Sequence, residues 1–157
     1  MQKHELIAEV DTLLGGRAAE EIYIGEVSTG AGNDLERATD IIKSMATIYG
    51  MSDIDIAGLM VLSKQQNQFL GGGQSSKDYS DEMAHKLDMY IKNTLDTRYK
   101  TVLNSLNQNK DAIEQMTAEL LDIEVLTGDR VREIIIENGG TVYKTEAMNN
   151  NEKDTNE

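Results

Sequence analysis

The 157-residue sequence has no cysteine, no proline and no tryptophan, and its only phenylalanine is Phe69. Without cysteine the chain can form no disulfide, offer no thiolate to a metal and use no cysteine nucleophile. That composition suits a reducing compartment. Without proline, no helix has to break where a backbone N–H is missing. With so few aromatic side chains the core must be aliphatic, and the eight methionines serve as its gap fillers. No apolar run approaches the roughly 20 residues that a membrane-spanning helix needs. Met1-Gln2-Lys3-His4-Glu5 also lacks the basic-then-apolar layout of a signal peptide. Bases are scarce as well, 15 against 28 acids, for a net charge of −13. This argues against a nucleic-acid partner, which needs a basic face to displace counterions from phosphates. It argues equally against an anionic lipid surface. Solubility is the plain consequence.

What is present is helical periodicity. Leu6, Ile7, Val10, Leu13, Leu14, Ala18 and Ile22 recur at spacings of three and four and predict one helix from Gln2 to about Tyr23. Gly15-Gly16 falls inside it, either as a break or as a flat surface for a closely packed neighbour, and the spacing favours a continuous helix. Gly25 to Gly32 reads as a loop, and Ser28 and Thr29 as caps of a second helix from about Ala31 to Tyr49, stopped by Gly50. Residues 51–78 are the least helical, with a short strand expected at Gly58–Leu62 and a flexible Gly71-Gly72-Gly73 loop. Ser80 caps a long helix that ends near Asn107-Gln108-Asn109. Another helix follows from Lys110 to about Asp122, and Thr127 caps a last one that Gly139-Gly140 ends. The expectation is an all-α, bundle-like domain of about five helices over 1–140 with one small β/loop insert. Residues 141–157 read as a disordered, asparagine-rich acidic tail.

Chemistry is sparse. His4-Glu5 begins a His-Glu-x-x-His zinc motif, but the fifth position is Ala8, so the second ligand is missing. His85 has only Asp81 and Asp88 at helical spacing, the pattern of a solvated face. No Gly-x-Ser-x-Gly elbow is present. Asp34 stands apart, because the turn Ser28-Thr29-Gly30-Ala31-Gly32-Asn33 delivers it to the first turn of a helix. Pairing with the helix dipole would fully account for an acid there. A carboxylate held rigidly at a helix start is also a good zinc or magnesium ligand, although one ligand does not make a site.

Three segments carry a resemblance: Leu14-Gly15-Gly16-Arg17-Ala18-Ala19-Glu20-Glu21, the run Ser28 to Thr39 (STGAGNDLERAT), and Tyr49-Gly50-Met51-Ser52. Phe69-Leu70-Gly71, Tyr79-Ser80-Asp81-Glu82 and Leu126-Thr127-Gly128 add to it. Over about residues 3 to 137 the chain resembles the C-terminal part of the peptidase domain of the FtsH family, the membrane-anchored, ATP-dependent zinc metalloproteases. The resemblance implies a mostly helical fold and a zinc site held by two histidines of His-Glu-x-x-His and one aspartate, matched here by Asp34. The motif's glutamate would be the general base. It and both histidines are expected upstream of Met1, so no catalytic residue is expected within the chain. Glu20 becomes a candidate for orienting a metal ligand from behind it, and a plain exposed helix acid is the alternative. ATP and magnesium, a homo-hexamer, membrane and cytosolic protein substrates, and a place on the cytoplasmic face of the inner membrane are implied for the full-length protein only. The chain by itself is expected to be a soluble fragment or processed piece, inactive alone, with an incomplete zinc site. The alternative is a helical oligomerisation or docking module without catalytic activity.

Overall fold

Helical periodicity is realised over most of the described residues. The computed structural model describes residues 1–52, 60–62 and 79–143. Among the described residues five α-helices run in order: α1 (Lys3–Tyr23), α2 (Gly32–Thr47), α3 (Asp81–Gln108), α4 (Lys110–Ile123) and α5 (Gly128–Glu137). A 3-10 turn, Thr29–Ala31, leads into α2. There is no strand among the described residues, so the fold is all-α. Of the expected strand at 58–62, Met60, Val61 and Leu62 are described; the Leu62 N–H donates to the Thr47 carbonyl at 2.8 Å. Residues 53–59, the glycine loop at 71–73 and the tail beyond 143 lie outside the described residues.

The chain divides into two units, Met1–Asn104 and Ser105–Glu157, with the boundary in the last turns of α3. In the first unit, α1 and α2 pack against each other. Val10 and Ala18 of α1 and Ala38, Ile42 and Ala46 of α2 have no exposed surface, and Leu14 and Met45 have almost none. Full burial of a side chain the size of Val10 or Ile42 contributes about 1.5–3 kcal/mol. The alanines keep the helix axes close. α3 is tied to α1 by polar contacts. The Arg98 guanidinium donates to both oxygens of Asp11, with Nε–Oδ1 at 2.8 Å, and the Tyr99 hydroxyl donates to Glu21. Burial, then the Glu21 bond, pushes the Tyr99 phenol above its ordinary range.

Gly15 and Gly16 do not interrupt α1. Among the described residues there is no close-packed neighbour of the kind they suggested: a side chain at either position would meet nothing within 4 Å. Gly50 does stop α2's run, at φ +59, and the Met51 N–H closes onto the Met45 carbonyl at 2.8 Å. Ser80 caps α3 as its type requires, its hydroxyl accepting the Met83 N–H at 3.2 Å.

The second unit is an α4–α5 pair. Thr127 caps α5 by accepting the Arg130 N–H at 3.2 Å. Arg130 then grips α4, its Nε and Nη2 donating to the Glu119 carboxylate at 2.9 and 2.6 Å. Ile134 and Ala112 are fully buried. Leu121 of α4 is 83% exposed. Leu120 and Leu121 point about 100° apart on the helix, so a single partner helix covers at most one of them well.

Candidate metal-ligand turn

Asp34 is delivered by a short relay of hydrogen bonds that begins on α1. Glu20 lies in the last turn of α1, and the chain leaves the helix through Gly25 at φ +76, a value that favours glycine. The loop returns to Glu20, whose carboxylate accepts two bonds from Ser28, the backbone N–H at 3.0 Å and the hydroxyl at 2.7 Å. The Ser28 oxygen in turn accepts the Gly30 N–H at 3.2 Å and so caps the Thr29–Ala31 turn. Ala31 is buried beneath that turn, and Gly32 opens α2. Asp34 then occupies the first turn of α2, where the N-terminal dipole favours a negative charge.

Electrostatics follow this geometry. The Ser28 hydroxyl, and then the Ser28 N–H, hold the Glu20 carboxyl below its ordinary range; Arg17 adds to this and partial desolvation opposes it. Asp34 is half-exposed and faces Arg37 one turn on, with Nη1–Oδ1 at 3.9 Å. The same guanidinium reaches Glu9 of α1 at 3.7 Å.

The two residues singled out by sequence are therefore linked through the turn and not by direct contact. Glu20 is engaged with Ser28, and Asp34 stands at the far end of the same turn with its carboxylate accessible. Asp34 fits a cation site as one hard oxygen donor. The set is not completed here, because no group of three or more metal-capable side chains occurs among the described residues, and neither His4 nor His85 belongs to one. Two participants were not singled out beforehand. Arg37 was detectable, since a base three residues after an acid on a helix is its neighbour. Ser28 was legible only as a cap, because its bond to Glu20 spans eight residues across an irregular loop.

The turn presents one carboxylate from an all-α segment, and comparison with known proteins supplies the family. The model of peptidase family M41 matches residues 1–134, and the chain belongs to that family. The chain is 62% identical over 138 residues to an ATP-dependent zinc metalloprotease FtsH of Helicobacter felis, covering 87% of this chain and 21% of that protein. Proteins of the same name from Helicobacter pylori and Sulfurovum match at 61% over 138 and 60% over 136 residues, covering 87% of this chain and 22% and 20% of theirs. The chain thus spans about a fifth of the length of the curated relatives it matches. No described helix is long and apolar enough to cross a membrane.

Proposed function

We propose that this chain works as the ligand-bearing helical portion of an ATP-dependent zinc metalloprotease, with Asp34 as one zinc ligand and Glu20 as the residue that holds the Asp34 turn in place. The observation that carries the reading is the position of Asp34, in the first turn of α2 within a chain 62% identical to a protein named for that activity. Zinc in such a site supplies Lewis acidity toward a peptide carbonyl. This chain's own contribution is positional. The Glu20–Ser28 clasp fixes the turn, α2 fixes the carboxylate, and the α1–α2 core keeps both helices in register. The two histidine ligands and the general base belong, in this reading, to a His-Glu-x-x-His segment outside these 157 residues. Action on protein substrates, dependence on ATP and magnesium, assembly as a homo-hexamer and a location at the cytoplasmic face of the inner membrane are proposed for the whole protein. The chain on its own is inactive.

The test compares casein cleavage and zinc content in two forms, the chain alone and the chain joined behind a His-Glu-x-x-His-bearing peptidase segment. The expected result is no cleavage by the chain alone and chelator-sensitive cleavage by the joined form. Asp34→Asn should abolish that cleavage and Asp40→Asn should not. Chelator-sensitive cleavage by the chain alone, or full zinc and activity in the Asp34→Asn joined form, overturns the reading. The exposure of Leu121 and Val125, 83% and 71%, favours a second reading as a helical oligomerisation or docking module. Sedimentation of a strict monomer at high concentration counts against that one.

A further inference from the structure

The sequence contains a single Asn-Gly pair, Asn138-Gly139, and the structure places it at the point where α5 ends. Glycine after asparagine leaves the following nitrogen unshielded by any side chain, which is the arrangement that most favours attack on the asparagine amide. Both residues are exposed, so water and hydroxide reach them. Yet each reacting atom is engaged. The Gly139 nitrogen, the nucleophile, donates to the Ile136 carbonyl at 3.0 Å, and the Gly140 nitrogen donates to the Ile135 carbonyl at 2.8 Å. With Gly139 at φ +77 these two bonds form a Schellman cap. The Asn138 amide nitrogen, the leaving group, donates to the Ile134 carbonyl and to Gln115 Oε1 of α4, both at 2.8 Å.

We propose that Asn138-Gly139 is a spontaneous modification site gated by this cap, and that its conversion is a one-way loosening of the α4–α5 pair. When the terminus of α5 opens, the Gly139 nitrogen gives its proton to hydroxide and bonds to Asn138 Cγ. The Cγ–Nδ2 bond breaks and the amide nitrogen leaves as ammonia, taking a proton from water. Water then opens the resulting succinimide at either carbonyl, leaving aspartate or isoaspartate at position 138. The product cannot re-form the closed state. An ionised carboxylate only accepts hydrogen bonds, and it would face two acceptors, Ile134 O and Gln115 Oε1. Gln115 cannot turn its amide to help, because its nitrogen already donates to Glu119 at 3.1 Å and to Glu137 at 3.4 Å. The new charge also adds to a chain already at −13. Isoaspartate adds a backbone methylene as well, which displaces the Gly139 and Gly140 nitrogens from the Ile136 and Ile135 carbonyls they now reach. The site rests on this geometry alone and is independent of the zinc reading.

The test uses the full chain and, beside it, a synthetic peptide spanning residues 134–141, both held at mildly alkaline pH. Conversion at Asn138 is followed by peptide-mapping mass spectrometry and by isoaspartyl methylation. The chain is expected to convert on the order of tenfold or more slowly than the peptide, because the cap must first open locally. Gln115→Ala, which frees one hydrogen of the leaving amide, should speed conversion several-fold. Asn138→Asp should show faster amide exchange at Gly139 and Gly140 than the parent above the carboxyl range, with protection returning on acidification. Equal rates in chain and peptide overturn the gate, and this comparison needs no variant. Parent-like exchange in Asn138→Asp overturns the loosening.

Discussion

The carboxylate of Glu20 is worth more to the turn than its position on an exposed helix end suggests. Its two bonds from Ser28 favour the ionised form. A carboxyl lowered in the folded state stabilises fully above its unfolded value, and that contribution drains away as pH falls through the folded value. Ser28→Ala removes the stronger bond and also the cap on Gly30, so the Glu20 carboxyl should return toward its ordinary range. A side-chain carboxyl NMR titration reads this directly, and an unmoved Glu20 would show that the clasp does not persist in solution. A second residue runs the other way. Glu124 ends α4 at φ +63, a left-handed conformation that costs a residue with a Cβ about 1 kcal/mol relative to glycine. Glu124→Gly is expected to raise the thermal midpoint, checked by calorimetry.

At the level of elements, the α4–α5 pair is joined by charge as well as by burial. Arg130 collects Glu119 in a two-pronged contact, Glu133 at 3.1 Å and Glu137 at 3.3 Å. Arg130, and after it Gln115, hold the Glu119 carboxyl below its ordinary range. The sign is the same as for Glu20: support is full above the unfolded carboxyl range and fades on acidification. Arg130→Lys keeps the charge but loses the planar fork. It should therefore shift acid unfolding of α5, followed by helix-specific amide exchange, to a higher pH. Helix identity and stops were readable because they rest on local rules. Spacing gave α1 and α2, and the side-chain types at Ser80 and Thr127 gave their caps. The clasp between Glu20 and Ser28 and the exposure of Leu121 were not readable in the same way. They depend on where a loop returns and on which face a neighbouring helix covers, and neither leaves a periodic mark.

For the molecule as a whole, excess acid is the dominant field. With 28 acids against 15 bases, like-charge repulsion opposes compaction, while ion pairs such as Arg37–Glu9, Lys86–Glu82 and Lys110–Glu114 are exposed and weak. Salt screens both, and the repulsive majority decides the sign. Raising ionic strength from low to moderate should therefore raise the thermal midpoint; a fall would mean that the Arg98–Asp11 and Arg130–Glu119 contacts outweigh the net charge. Family membership was legible because the specific run from Ser28 to Thr39 is contiguous. The metal set proposed above was not, because these 157 residues offer only one of its proposed ligands, Asp34.

The glycine pair inside α1 has a consequence beyond helix length. Gly15 and Gly16 each weaken the helix by about 1 kcal/mol relative to alanine, and open space lies above both among the described residues. Alanine at either position should therefore make the isolated chain more stable. If the longer protein tolerates those alanines poorly, the smoothness of that strip answers to something that lies against it from outside. A stability assay on the chain and a functional assay on the whole would then disagree in sign, and that disagreement would locate a contact surface without a structure of the assembly.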